Sequence, residues 1–192
     1  MPPRSLFTRD EIIHAALEIA RESGMSGLTA RSLAAKLGCS VKPIFGMFQN
    51  MEEVGREVLA AAGRVYQDYL REGVAEGKYP PYKASGMAYI RFAREERELF
   101  KLLFMRDRSQ EKVEEDREEI EPLLALIREK TGLSEEDAYL FHLEMWLYVH
   151  GIATMSATSY LDWDMEMVSR VLTDGYMGLI QRYCKEDKDG SD

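Results

Sequence analysis

Residues 28–48 read LTARSLAAKLGCSVKPIFGMF. Thr29 has the side chain of a helix N-cap, and a short helix follows over Ala30 to Leu37 with Leu33, Ala34 and Leu37 facing inward. Gly38 stops it, because a residue without Cβ adopts the left-handed conformation at little cost. Ser40 is the expected cap of a third short helix, with Pro43 near its first turn, where a missing N–H costs little. Ala34 is the small residue expected where the two helices cross, Gly38 lies in the turn, and Ile44 falls on the inner face of the second helix. That spacing predicts a helix-turn-helix, whose second helix enters a DNA major groove. An ordinary helical hairpin inside a bundle has the same spacing.

The flanking sequence is helical in period, with no convincing alternating strand. Thr8 caps a first helix in which Ile12, Ile13, Ala16, Leu17 and Ala20 share a face, and Ser23-Gly24 ends it. Asn50 caps a fourth helix reaching about Gly73. Beyond the break at 77–81, helices are expected over Tyr82–Arg94, Glu96–Met105, Glu111–Lys130, Glu135–Ala157 and Asp164–Cys184, with Ser134 and Asp137 forming a variant capping box. The polar end, Lys185 to Asp192, is expected to fray. The fold class is therefore all-α with about nine helices: a three-helix head over residues 1–50 and a larger helical body over 51–192.

Composition narrows the function. The chain has 192 residues, 45% of them hydrophobic, and a formal net charge of -9. Up to Arg56, seven Lys and Arg face six Asp and Glu; beyond it the balance is 18 against 28. An acidic chain repels polyanions, so a nucleic-acid contact has to sit in the first quarter. Two cysteines, Cys39 and Cys184, make neither a disulfide framework nor a four-thiolate metal site. No signal segment or membrane span is legible, and a cytoplasmic protein without cofactor or metal is expected.

The capped first helix, Thr29, the glycine turn and Ile44-Phe45-x-x-Phe48 followed by Glu52-Glu53-Val54 resemble the N-terminal domain of TetR/AcrR-type transcriptional regulators, over roughly Thr8 to Leu59. Trp146 to Gly151, with His150 between them, is similar to a Trp…His-Gly signature in one subgroup of that family's C-terminal domains. The resemblance implies a homodimeric repressor that binds double-stranded operator DNA and responds to a small-molecule effector. By position, Ser40, Val41, Lys42, Pro43, Phe45, Gly46 and Met47 form the recognition helix and its approach. Thr29 is placed to meet a phosphate, Arg31 and Lys36 to contact the backbone, and Lys42 to read a guanine edge or neutralise a phosphate. Phe45, Met47 and Met51 stand where polar or charged residues are usual, which implies modest DNA affinity with a shallow salt dependence. Contact of Phe45 or Met47 with thymine methyls is a partial substitute.

In the body, Met87, Phe92, Phe100, Phe104, Met105, Phe141, Met145 and Trp146 are candidate walls of an apolar effector pocket. The same spacing suits a plain helical core. Tyr148, Ile152, Met155, Val171, Gly175, Gly178 and Leu179 are candidate dimer contacts, since glycines three apart permit close helix approach; packing within one chain looks the same. His150 reads as a hydrogen-bonded interior histidine at that seam, or alternatively as a ligand or a switch. Seven carboxylates between Glu111 and Glu121 read as a solvated helix face, with metal binding the other reading. An enzyme lacks parts: a carboxylate-bridged di-metal bundle needs two Glu-x-x-His pairs, and only Glu11 to His14 is present. The remaining alternative is an acidic helical adaptor that binds protein partners and no DNA.

Overall fold

The computed structural model describes residues 7–107, 109 and 113–189, and their side chains except those of 113–119 and 184–189. Nine helices and no strand occur among the described residues: α1 (Arg9–Gly27), α2 (Ala30–Leu37), α3 (Lys42–Met47), α4 (Met51–Ala75), α5 (Pro81–Glu95), α6 (Arg97–Phe104), α7 (Val113–Thr131), α8 (Glu135–Ala157) and α9 (Met165–Asp189). The all-α expectation holds, and α8 has the bounds expected from its caps. In the acidic stretch from Glu111 to Glu121, residues 111 and 112 and the side chains of 113–119 lie outside what is described, as does the side chain of Cys184.

Local chemistry explains the boundaries. Thr8 and Glu11 form a reciprocal capping box: the Glu11 amide donates to the Thr8 hydroxyl at 3.2 Å and the Thr8 amide to the Glu11 carboxylate at 2.7 Å. Gly24 breaks α1 where expected, with φ 67° and ψ -178°, and one further helical stretch follows to Gly27. Asn50 caps α4 by accepting from the Glu53 amide at 2.9 Å. At Ser134 the cap is a variant, because Asp137 accepts from the serine hydroxyl at 2.6 Å while its amide donates back at 3.1 Å. Two expectations need correction. Ser40 does not cap α3; Val41 is the N-cap residue and supplies no side-chain bond. Pro43, in the first turn, has no amide to satisfy, so less is lost without a cap. The backbone of α9 runs to Asp189 rather than ending near Cys184, since neither glycine nor proline lies between Cys184 and Gly190.

The chain forms two compact units, divided within α4. The first is the described part of Met1–Asp68 with Glu95–Arg106; the second is Tyr69–Arg94 with the described part of Asp107–Asp192. In the first, α1 packs on α2 and α6. Its core holds Ile12, Leu33, Ile44, Val54, Val58, Leu99 and Phe100, all fully buried. Each such side chain contributes about 1.5–3 kcal/mol relative to exposure. In the second, α8 packs on α7 and α9, and Leu124, Ile127, Ala138, Phe141, Met145 and Tyr183 make one apolar cluster.

Candidate nucleic-acid interface

The turn between α2 and α3 is built by single-residue requirements. Gly38 sits at φ 65° and ψ 32°, and its amide reaches the Ala35 carbonyl at 3.1 Å. The next amide, of Cys39, reaches the Ala34 carbonyl at 3.0 Å, so the last carbonyls of α2 are satisfied by the turn itself. Ala34 is buried and Ile44 completely so, which gives each the inward role its spacing predicts. With Ile44 and Phe48 inward, the opposite side of α3 is left to solvent: Val41 is 40% and Phe45 46% exposed. Ser40, Lys42 and Gly46 are exposed too, whereas Pro43 and Met47 are half-buried.

Thr29 and Arg31 are exposed at the start of α2. The Thr29 hydroxyl is already engaged in a capping box with Ser32, accepting from its amide at 3.1 Å and lying 3.0 Å from its hydroxyl. Lys36 pairs with Glu22 at 2.9 Å. Arg9 is the residue that sequence reasoning did not place. Its guanidinium donates to the Met47 carbonyl at 2.9 Å and to Glu53 and Glu57 at 2.8 and 2.6 Å. It also lies 4.2 Å from the centre of the Phe48 ring. Hydrogen bonds to Glu57 and then Glu53 hold the guanidinium pKa above its usual value; the Gln49 amide and then Arg9 hold the Glu53 carboxyl below the ordinary carboxylate range. A usable signal was present: a cation at the first position of α1 opposes the positive helix end, so it requires a partner elsewhere.

The body candidates divide. Phe100, Phe104 and Met105 belong to the first unit, where Phe104 packs edge-on against Tyr66 at 5.1 Å. Met87, Phe92, Phe141, Met145 and Trp146 belong to the second. Of these, the first four are buried and Trp146 is 39% exposed. Trp146 stacks on His150 with centroids 4.7 Å apart, and the His150 Nδ1 lies 2.9 Å from the Tyr89 hydroxyl. His150 is thus hydrogen-bonded within one chain. Tyr148, Val171, Gly175, Gly178 and Leu179 line, with Asp174, one shallow surface groove between α8 and α9. Ile152 instead is buried within its own unit, while Met155 is half-buried. Among the described residues no cluster of His, Cys, Asp or Glu is arranged to hold a metal, and no helix is long and apolar enough to cross a membrane.

The model of the tetracyclin repressor-like C-terminal domain family matches residues 82–175. The chain is 36% identical over 77 residues to the class D tetracycline repressor protein of Escherichia coli, covering 34% of this chain and 35% of that protein. The match therefore spans about a third of that relative's length. Among solved structures, a TetR-like transcriptional regulator from Rhodococcus sp. RHA1 superposes with a TM-score of 0.63 at 14% identity, covering 96% of this chain and 99% of that one. A TetR variant from Acinetobacter baumannii AYE, solved in complex with minocycline, gives 0.58 at 19% identity over 93% of this chain and 97% of that one.

Proposed function

The chain belongs to the TetR family of transcriptional regulators, and on that premise we propose that it is a DNA-binding repressor released from its operator by a small, largely apolar molecule. The observation that carries this reading is the solvent-facing side of α3, with Val41 and Phe45 exposed on a helix anchored from behind by Ile44 and Phe48. Apolar side chains turned to water on a helix held in place from behind suit a surface against which something docks. In this reading residues 1–50 carry the DNA contacts, through Ser40, Val41, Lys42, Pro43, Phe45, Gly46 and Met47, with Thr29 and Arg31 against phosphates. Residues 51–192 carry the effector and dimer functions.

Two copies join through the groove between α8 and α9, where Gly178 has open space before it. They set two heads in successive major grooves, with half-sites about 34–36 Å apart or at the wider spacing some relatives use. The effector wall is drawn from Met87, Phe92, Phe141, Met145 and Trp146, which share one unit. An effector releases DNA only through its differential affinity for a state whose heads are wrongly spaced.

A gel shift tests the reading, using the full chain and the duplex immediately upstream of its own coding sequence at about 50 and 200 mM salt. Binding that weakens as salt rises is expected. Absence of binding at both concentrations favours the acidic adaptor instead. A thermal-shift screen in which no apolar compound stabilises the protein removes the effector part.

A further inference from the structure

We propose that Arg9 is a positioning residue for DNA reading, tying the C-terminal end of α3 to α1 and α4 without itself touching DNA; this rests on the DNA-binding function proposed above. Intrinsically, α3 is among the weakest elements of the chain. It has six residues, no side-chain cap at its start and Gly46 in its interior. Glycine there costs about 1 kcal/mol relative to alanine, and a helix this short is far below the length that sustains itself in water. Its geometry has to be imposed from outside.

Burial of Ile44 and Phe48 fixes one side. Arg9 fixes the end. One nitrogen of its fork donates to the Met47 carbonyl, the last of α3, which has no acceptor role inside so short a helix. The other nitrogen donates to Glu53 and Glu57 on successive turns of α4. The Phe48 ring lies against the guanidinium plane, so the residue that ends α3 is held by the same group. Three helices thus meet at one side chain, and a cation at the C-terminal end of α3 also suits that helix's dipole.

The charge arithmetic argues against a direct phosphate contact. Two carboxylates face the one guanidinium, with Arg56 as a further cation near Glu53, which leaves Arg9 committed to its partners. A phosphate approaching Arg9 would have to displace Glu53 or Glu57 and then share the site with it. The same arrangement explains how two glutamates are accommodated beside a nucleic-acid surface: each is bound to the cation rather than presented to DNA.

The test compares the full-length protein with Arg9→Met and Arg9→Lys. Amide hydrogen exchange of α3 is followed without DNA, and affinity for the upstream duplex is measured across salt concentrations. For Arg9→Met, exchange at Phe45 to Phe48 should accelerate on the order of tenfold, with amides of the α1 core unchanged. Duplex affinity should fall by roughly 5- to 20-fold with the salt slope unaltered. Arg9→Lys keeps the charge without the fork, and should fold normally with intermediate exchange at α3. Unchanged α3 exchange in both variants overturns the proposal. So does a salt slope shallower by about one in Arg9→Met, which marks a phosphate contact. If the parent protein binds no duplex, the DNA-binding reading fails separately, while the exchange measurement still decides whether Arg9 holds α3.

Discussion

Tyr89 and His150 meet between α5 and α8 with hydroxyl and Nδ1 2.9 Å apart, and Trp146 stacks on the same imidazole. Seven residues earlier on α5, Tyr82 makes the corresponding contact with the His142 Nδ1 at 3.1 Å. Burial pulls both imidazoles below the ordinary 6.5 and raises the Tyr82 hydroxyl well above the usual tyrosine range. Both imidazoles are therefore neutral at physiological pH.

That neutrality sets the direction of the pH dependence. In the unfolded chain His142 and His150 protonate near 6.5, whereas in the folded chain these two resist until lower pH. Stability should be fully present above about 7 and fall as the pH drops through 6.5 toward the depressed folded values. Melting temperature measured from pH 8 to 5 should show this decline, and the double variant His142→Gln with His150→Gln should flatten it. An equally steep decline in the variant would place the titration on other groups.

The turn between α2 and α3 was legible because each of its positions has one physical requirement: Gly38 a left-handed backbone, Ala34 a small buried side chain, Ile44 an apolar inner face. Helix ends with paired capping side chains, at Thr8 and Ser134, were legible for the same reason. What could not be read was tertiary. Arg9 reaches partners 38 to 48 residues away, and Tyr82 and Tyr89 find histidines 60 and 61 residues on. No periodicity records such pairings. Ser40 misled because serine's capping propensity does not fix which residue begins the helix, and with Pro43 in the first turn α3 starts one residue later, behind Val41, without a side-chain cap. The aromatic body residues were ambiguous in sequence for a related reason: helical spacing places them inward without saying which compact unit receives them.

Close packing of α4 on α5 depends on Gly73. A Cβ there would lie 2.7 Å from the Ala88 Cβ and 3.6 Å from the Ala84 carbonyl oxygen. Alanine gains about 1 kcal/mol in helix propensity over glycine, but it has no flexible neighbour to displace. Gly73→Ala should destabilise by about 1–3 kcal/mol net through overpacking. Chemical denaturation of the two proteins checks the sign, and a stabilised variant would show that the helices separate easily.

Gly38 tests the turn by a different route. An added Cβ would meet nothing within 4 Å, so only the backbone is at stake. Holding a non-glycine residue in the left-handed region costs about 1–2 kcal/mol, and a β-branched one suits it least. Gly38→Val should lower the melting temperature, and Gly38→Asn should lower it less. Equal and negligible effects would mean that the turn rearranges freely.

The groove between α8 and α9 offers a clean substitution to test the proposed dimer interface. Gly178 faces open space in the single chain, so a large residue there should leave the protomer folded. Gly178→Trp should nevertheless move the protein from dimer toward monomer in sedimentation, weakening association on the order of tenfold or more. A variant as dimeric as the parent would place the interface elsewhere.

On the proposed function, Lys42 is expected to bear more of the DNA contact than a single lysine ordinarily would. Phe45, Met47 and Met51 offer no hydroxyl or cation to a phosphate, and Lys36 is occupied by Glu22. Lys42 is exposed at the start of α3 and buries nothing, so Lys42→Ala should leave the melting curve unchanged while weakening duplex binding. The manner of the loss identifies the contact. A guanine reader loses about 1–3 kcal/mol on the specific duplex alone, whereas a phosphate contact loses affinity on all sequences and shallows the salt slope by about one. Because few other cations are available in this head, the phosphate contact is the expected outcome, and binding titrations on specific and scrambled duplexes at several salt concentrations distinguish the two. Undiminished affinity on both duplexes would remove Lys42 from the interface.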